Sequence, residues 1–315
     1  MAVGITAMEL PPNYVCGRAE IAPVIDGRGD DAVWQQVREL SSLRDIEGAD
    51  IPHECRIKMA WDDAYLYIFA DMQEQHLWAT LTEHDSVIYR DPDFEVFIDP
   101  DGDGLNYIEL EINALNTTWD LFLTRPYRFN SPYILHDWEM PGLRHAVHLR
   151  GTLNDASDTD DGWSVELAIP WSSITSHATQ PRKGLAPETG SSMRFNFSRV
   201  NWAVRPDTAS PCGYAKQTDT AGNLLPESNH VWAPTGRVNI HLPEHWGRVV
   251  FSPRSAAEWE SVPPEPLERT RLALYRVLNA QLENRAKEGR FSQTLPLPSG
   301  VQMAFPTEDF FILSA

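Results

Sequence analysis

The segment at residues 94–113, FEVFIDPDGDGLNYIELEIN, places the tightest constraint on the fold of this chain. Apolar and polar side chains alternate strictly in its two halves, and an acidic, glycine-containing turn joins them. A period of two interrupted by such a turn is typical of a β-hairpin with one buried face. The apolar residues predicted to face a core are Phe94, Val96, Ile98, Ile108, Leu110 and Ile112. The opposite face carries carboxylates, an amide and aromatic rings, and a function is best sought there.

Further apolar and alternating runs predict more strands of the same kind. They cover residues 56–61, 64–71, 119–124, 146–153, 163–171, 193–200 and 248–252. Many short strands separated by turn signals are typical of an all-β fold in two layers. We therefore expect an antiparallel β-sandwich over residues 14–253, preceded by an N-terminal arm at residues 1–13.

The C-terminal residues 254–315 have a different pattern. After a proline-rich breaker, residues 267–289 form one long helical pattern that ends at a glycine. The leucines at helical spacing are Leu267, Leu274, Leu278 and Leu282. An apolar stripe of this kind must be buried against something. We expect an α-helical appendage that packs on the sandwich, or on a second copy of the chain in a homo-oligomer, with a tail that could add a strand.

The charge balance limits the partners of the chain. Its formal net charge is -19 at pH 7. Nucleic acids and anionic membrane surfaces both attract basic segments, so neither is an expected partner. No apolar run is long enough to span a bilayer. The N-terminus shows no signal peptide, which indicates a cytoplasmic location, or a secreted or periplasmic one if a signal has been removed.

The cysteines give little structural information. Cys16, Cys55 and Cys212 are an odd set without C-x-x-C spacing. They predict neither a disulfide scaffold nor a zinc site. One disulfide, between Cys16 and Cys55, stays open as an alternative.

The turn of the hairpin has the composition of a cation-binding loop. Asp99, Asp101 and Asp103 alternate in DPDGDG, and Asn106 follows closely. Hard cations need several oxygen ligands from a short flexible loop. These four residues are therefore candidate ligands of a structural calcium ion. A metal-free turn is the alternative, because the loop lacks the glutamate that closes an EF-hand.

Strand alternation places a row of polar side chains on one face, provided that their strands are neighbours. The row comprises Lys58, Glu95, Glu109, Glu111, Asn113, Arg194, Asn196 and Ser198, with Tyr89, Phe97, Tyr107, Trp119 and Trp138 beside it. Rings and hydrogen-bonding groups together suit a sugar, which offers C–H faces and hydroxyls. Paired carboxylates can also act as acid and base in glycoside chemistry. A solvated or salt-bridged sheet surface is the ordinary alternative.

Several motifs are similar to those of family 9 carbohydrate-binding modules. They are IDGRGDDAVW (25–34), KMAWDDAYLYI (58–68), DFEVFIDPDGD (93–103), YIELEIN (107–113), DGWSVELAIPW (161–171), MRFNFSRV (193–200) and LPEHWGRVVFS (242–252). The resemblance covers residues 14–252. It implies a jelly-roll-like β-sandwich that binds mono-, oligo- or polysaccharides, often with structural calcium, and it is compatible with a role in carbohydrate catabolism.

The resemblance also implies particular ligand residues. The family's ligand glutamate falls on Glu95 and its ligand asparagine on Asn113. A ligand glutamine falls near Ser198, with Arg199 adjacent. An arginine two residues before the asparagine is replaced here by Glu111.

The aromatic clamp of the family is only partly present. Tyr89 stands where the family has one tryptophan wall. The second wall would fall near residues 240–241, where this chain has no tryptophan. Trp119, Trp138 and Trp202 are candidate substitutes.

These observations favour a non-catalytic carbohydrate-binding module. Its predicted ligand residues are Tyr89, Glu95, Glu111, Asn113, Arg194, Ser198, Arg199, Trp119 and Trp138. Two alternatives stay open. One is a glycoside hydrolase or lyase that uses Glu95 with Glu109 or Glu111. The other is an assembly module that binds a partner protein through the helix at residues 267–289.

Overall fold

The computed structural model describes residues 9–51, 54–129, 133–175, 186–254, 267–307 and 310–314. These residues belong to two compact units. The larger unit holds two short helices, α1 (Ala32–Gln36) and α2 (Trp171–Thr175). Its strands are β1 (Asn13–Arg18), β2 (Arg44–Asp45), β3 (Cys55–Trp61), β4 (Tyr65–Gln73), β5 (Asp93–Asp99), β6 (Tyr107–Asn113), β7 (Thr118–Leu123), β8 (Ile134–Leu135), β9 (Arg144–Arg150), β10 (Gly162–Pro170), β11 (Ser192–Asn201), β12 (Val204–Pro206), β13 (Tyr214–Lys216), β14 (Ser228–Val231) and β15 (Gly247–Phe251).

The strands form the two-layered sandwich that the alternating patterns predict. The first layer has the order β8-β7-β6-β5-β11-β15-β1, and the second has the order β1-β3-β4-β10-β9. Strand β1 joins them, because Asn13–Cys16 pair with β15 and Gly17–Arg18 pair with β3. Both of these pairings are parallel, in contrast to the antiparallel arrangement expected. Strand β1 reaches its neighbours through long connections, so no hairpin forces antiparallel pairing there.

The predicted hairpin supplies the core from its apolar face. Val96 pairs with Leu110, and Phe94 pairs with Ile112. All six apolar hairpin residues lie in the main hydrophobic cluster between the layers. Trp61 and Trp163 enter the same cluster from the second layer. Burying one such large side chain contributes about 1.5–3 kcal/mol, so the hairpin is a main source of stability.

The cysteines carry free thiols. Cys16 lies in β1 and Cys55 begins β3, and both are buried. The alternative of a disulfide between them is therefore wrong. Burial raises the pKa of the Cys55 thiol to about 12, so the thiol stays protonated.

The smaller unit contains the long helix that the leucine pattern predicts. Helix α3 (Glu268–Glu288) ends at Gly289, whose φ of 73° is the left-handed conformation that glycine favours. A hairpin of β16 (Gln302–Thr307) and β17 (Phe310–Ser314) follows, so the tail adds two strands. Ala273 and Val277 of the helix cluster with Val301. Packing of this helix on the sandwich stays a prediction. No helix in the described ranges has the length and hydropathy to cross a bilayer.

Candidate functional site

Four carboxylates lie side by side on the outward face of the first layer. Glu95 of β5 is opposite Glu111 of β6, and Asp93 and Glu109 occupy adjacent positions of the same face. We call Asp93, Glu95, Glu109 and Glu111 the acidic row. Each residue of the row is at most 5% exposed. Oxygen atoms of Asp93, Glu95 and Glu111 lie within 4.8 Å of one another.

Burial raises the pKa of all four carboxyl groups of the acidic row. It raises the pKa of Glu95 to about 7, although hydrogen bonding to Ser198 opposes the rise. Burial and the neighbouring carboxylates raise the pKa of Asp93 and Glu111 well above the usual range. Burial is also the main cause of the raised pKa of Glu109, followed by the charge of Glu95. Such carboxyl groups can both accept and donate hydrogen bonds, which suits hydroxyl groups of a ligand.

The acidic row has few internal hydrogen-bond partners. The Oε2 atom of Glu111 accepts a bond from the backbone N–H of Tyr89 at 2.8 Å. Among the described residues, neither oxygen of Asp93 accepts a well-formed bond, and Oε2 of Glu109 has none. Buried polar atoms are normally satisfied, so unused acceptors at one place indicate room for a ligand's donors.

Aromatic rings border one end of the acidic row. Tyr89 is 38% exposed. The indole N–H of Trp202 donates to the Tyr89 carbonyl at 2.9 Å, which holds the two residues together. Trp202 is therefore the predicted substitute wall that the structure brings to this end of the site. It follows Ser198 by four residues in the chain, just beyond the end of β11.

A lysine at this end was missed by sequence reasoning. The Lys216 ammonium lies 3.2 Å from the centre of the Trp202 ring and donates to the Arg90 carbonyl at 2.6 Å. Burial lowers its pKa to about 8. Lys216 belongs to the three-residue strand β13, and no motif in the sequence connects that strand with β5.

The other end of the outward face is covered, in contrast to the open face expected. Phe97, Tyr107, Trp119 and Trp246 are buried in a second hydrophobic cluster there. His241 lies in the same region and accepts or donates a bond with the Tyr107 hydroxyl at 3.0 Å. Its Nε2 atom is 4.0 Å from Glu109, yet burial lowers the pKa of His241 to about 3 and keeps it neutral.

Asn113 lies at the end of β6 on the row's face but has no bonding capacity left. Its Nδ2 atom donates to the Leu81 carbonyl at 2.9 Å and to Asp91 at 3.1 Å. Its Oδ1 atom accepts from the backbone N–H groups of Leu115 and Thr117. An amide has two donors and two acceptor sites, so this asparagine is saturated within the protein. It positions the turn after β6.

Three predicted ligand residues lie away from the acidic row. Arg194 pairs in register with Asp99, and Ser198 pairs with Glu95. At about 3.3 Å per residue, Arg194 is about 13 Å along the strand from the Glu95 position. Arg199 follows Ser198 directly, so it points to the opposite face, where it pairs with Glu74 at 2.8 Å. Trp138 packs on Phe122 at the edge of the core. These three placements correct the grouping expected from the sequence.

Trp119 and Ser198 share the face of the acidic row but are covered. Trp119 is opposite Glu111 in register, is 8% exposed, and stacks on the His136 ring at 5.6 Å. Ser198 is fully buried beside Glu95. Trp119 therefore borders the acidic row from β7, while Ser198 lies beside Glu95 in register on β11.

The acidic turn brings its three aspartates together as the spacing predicts. Oxygen atoms of Asp99, Asp101 and Asp103 lie within 4.8 Å of one another. Both Asp99 oxygens accept backbone N–H groups, from Gly102 and Gly104 at 2.9 Å. Burial and the neighbouring aspartates raise the pKa of Asp99 to about 7. Asn106 adopts a positive φ of 50° as the chain enters β6. This donor set fits a hard cation.

The larger unit is thus a two-layered β-sandwich with underused carboxyl groups beside the exposed Tyr89 ring. The chain belongs to the carbohydrate family 9 binding domain-like family, whose model matches residues 25–252. The resemblance drawn from the motifs is thus confirmed.

Two similar proteins are much longer than this chain. The exoglucanase XynX of Acetivibrio thermocellus is 31% identical over 156 residues, which is 49% of this chain and 12% of that protein. The endo-1,4-beta-xylanase A of Thermoanaerobacterium saccharolyticum is 32% identical over 156 residues, 49% of this chain and 11% of that protein. This chain therefore matches only a small part of each relative.

One solved structure shares the fold of this chain. A crystal structure from Bacteroides uniformis, provisionally described as a carbohydrate-binding protein, has a TM-score of 0.54 at 15% identity and covers 77% of this chain and all of its own. A family 9 carbohydrate binding module from Caldicellulosiruptor kristjanssonii, in complex with glucose, has a TM-score of 0.47 at 18% identity and covers 80% of this chain and all of its own.

Proposed function

We propose that this protein binds a saccharide without catalysis at the end of the acidic row where Tyr89 and Trp202 lie. One observation carries the proposal: underused carboxyl groups and an exposed ring meet at this place. Glu95 offers a carboxyl group that accepts or donates hydrogen bonds near neutral pH. The Tyr89 ring offers a surface on which the C–H face of a sugar can stack. Stacking of this kind contributes about 1 kcal/mol per ring.

The charge of the site selects among saccharides. The family's arginine position holds Glu111, and the Lys216 ammonium at this end already lies over the Trp202 ring. Four carboxyl groups repel an acidic sugar when they ionise. We therefore expect neutral or cationic saccharides to bind more tightly than uronic acids. The names of the similar proteins, an exoglucanase and a xylanase, make neutral glucan- and xylan-derived oligosaccharides the first probes.

The experiment is a glycan array followed by calorimetric titration of the best saccharide. We expect Tyr89→Ala and Trp202→Ala each to weaken binding by about 1 kcal/mol or more. Tyr133→Ala is the matched control, because Tyr133 is 72% exposed and lies before β8 at the sheet edge. Equal affinity in all four proteins would place the binding site elsewhere on the chain.

A catalytic pair is the second candidate, supported by the approach of Glu95 and Glu111 to within 4.8 Å. Retaining glycosidases hold their two carboxyl groups about 5–5.5 Å apart. However, burial raises the pKa of both residues, whereas a nucleophile must be ionised. Release of reducing ends from the bound saccharide, lost in Glu95→Gln while binding persists, would favour an enzyme.

Calcium is proposed as a structural ligand of the acidic turn. The proposal is supported by the three aspartate oxygens within 4.8 Å and by the hairpin that fixes both ends of the loop. A bound ion would neutralise charge around the buried Asp99.

A further inference from the structure

A second polar cluster lies on the opposite face of β7 from Trp119. Asp120 of this strand is 2% exposed, and its alternation with Trp119 directs it away from the acidic row. His84 and Asp85 approach it from the segment that precedes β5. Glu139 approaches from the segment before β9. Three separate parts of the chain thus bring one imidazole and three carboxylates together.

The distances around the imidazole are unusually regular. The Nε2 atom of His84 is 3.4 Å from Asp85 Oδ1, 3.4 Å from Glu139 Oε1 and 3.7 Å from Asp120 Oδ1. A direct N–H···O bond is about 2.7–3.2 Å long, so all three separations exceed one. In a tetrahedral zinc site with bonds of about 2.0–2.1 Å, neighbouring ligand atoms are about 3.3 Å apart. The three separations from Nε2 are close to that spacing.

A hydrogen bond fixes the tautomer of His84. Its Nδ1 atom lies 3.0 Å from the Thr118 carbonyl, which can only accept. Nδ1 therefore carries a proton, and in the neutral ring the Nε2 lone pair faces the three carboxylates. A positive charge is favoured at this place, and a cation bound to Nε2 would supply it, as would a second ring proton. Metal-binding histidines commonly donate their other N–H to a backbone carbonyl in this way.

Asp120 gives an independent indication of a missing partner. Its Oδ2 atom is buried and accepts no well-formed hydrogen bond from the described part of the chain. Ligand atoms of Asp120, His84 and Asp85 lie within 4.8 Å of one another. The cluster opens into a cleft of about 490 Å³, lined by His84, Asp120 and Glu139 among others. The site is therefore both partly unsatisfied and accessible.

We propose that His84, Asp85 and Asp120 bind a divalent first-row transition metal, with zinc as the best fit. The ligand set mixes imidazole with carboxylates, whereas calcium and magnesium prefer oxygen ligands alone. The ion ties the segment before β5 and the segment before β9 to strand β7. Glu139, whose Oε1 atom is 3.4 Å from His84 Nε2, would supply the fourth ligand of a closed, structural tetrahedral ion.

The test is calorimetric titration of the metal-free full chain with Zn²⁺, with Co²⁺ as a spectroscopic probe. We expect one Zn²⁺ site, with the intense visible absorption of a tetrahedral Co²⁺ complex. His84→Gln and Asp120→Asn should each weaken Zn²⁺ binding by about tenfold or more and remove the absorption. His148→Gln, on β9, is the matched control that should bind Zn²⁺ as the wild type does.

Thermal melting separates loss of the metal from loss of the fold. Zn²⁺ should raise the melting temperature of the wild type and leave that of His84→Gln unchanged, while the metal-free proteins melt alike. Absence of Zn²⁺ binding would overturn the proposal. The cluster would then be an ion pair between protonated His84 and the surrounding carboxylates. Binding that is as tight in His84→Gln and Asp120→Asn as in the control would overturn the proposal as well.

Discussion

Two buried glutamates, one on the outward face of each layer, differ in the hydrogen-bond partners that the protein offers them. Glu166 of β10 accepts the backbone N–H groups of Asp26 and Gly27 and the indole N–H of Trp34, at 2.7–2.9 Å. Glu95 of β5 is similarly buried, but its neighbours in register are Glu111 and Ser198. Burial alone therefore does not indicate a site. Carboxyl groups with unused hydrogen-bonding capacity beside an exposed aromatic ring indicate a binding site.

Removing the bonding ability of Glu166 should have the largest effect on stability. Glu166→Gln puts an amide among three donors, so at least one of them loses its acceptor. Bonds to a charged group are worth about 1.5–3 kcal/mol, and we expect the free energy of unfolding to fall by about 3 kcal/mol. Glu111→Gln is the matched change in the acidic row. It should alter stability by less than about 1 kcal/mol, because a protonated carboxyl and an amide are similar.

Urea denaturation of both variants at pH 7 measures this difference. Equal losses of stability in Glu166→Gln and Glu111→Gln would contradict the contrast between a satisfied and an underused carboxyl group.

The pH dependence of the free energy of unfolding should reveal the raised pKa of Glu95 in the acidic row. Burial raises the folded-state pKa of Glu95 from its usual value of 4.5 to about 7. Between these values the folded state binds more protons than the unfolded state, so the free energy of unfolding falls as the pH rises. The contribution of Glu95 is fully present below about pH 4.5 and is lost as the pH rises through 7.

The stability of wild type and Glu95→Gln at pH 5 and pH 8 gives the size of this contribution. The wild type should lose about 2 kcal/mol more than the variant over this range. If the stability of the two proteins changes equally between pH 5 and pH 8, Glu95 is ionised in the folded state. The description of the acidic row as underused carboxyl groups is then wrong.

Calcium should have the smallest effect. Calcium added to metal-free protein at ten times its Kd should stabilise the chain by about 1.4 kcal/mol, because it binds only the folded state. Asp101→Asn should weaken this response, while His148→Gln should leave it intact. An unchanged melting curve in the presence of calcium would show that the acidic turn is held by its own Asp99 hydrogen bonds.

The core could be predicted from the sequence, because a period of two assigns each hairpin residue to a face without knowledge of distant segments. The same rule places the consecutive residues Ser198 and Arg199 on opposite faces of β11, so their separation could also be predicted from the sequence. The cover over Trp119 and Tyr107 could not be predicted, since it depends on the irregular segments that carry His136 and His241. The saturation of Asn113 depends equally on a turn whose backbone geometry has no periodic pattern.

The proposed sites differ in how far the sequence reveals them. The three aspartates of the acidic turn are local, so their spacing alone predicts their proximity. The cluster around His84 joins segments that lie far apart in the chain, and the register of β7 brings Asp120 to it. No local sequence motif predicts that these separate segments come together.

The most direct test of the central claim is calorimetric titration of wild type and Glu95→Gln with the best saccharide from the array. The account predicts that Glu95→Gln weakens binding by about 1–3 kcal/mol, because a bond to a carboxyl group is replaced by a weaker one. It also predicts no release of reducing ends by either protein. Unchanged affinity in Glu95→Gln, with Tyr89→Ala equally unaffected, would contradict the claim that this end of the acidic row is the saccharide-binding site.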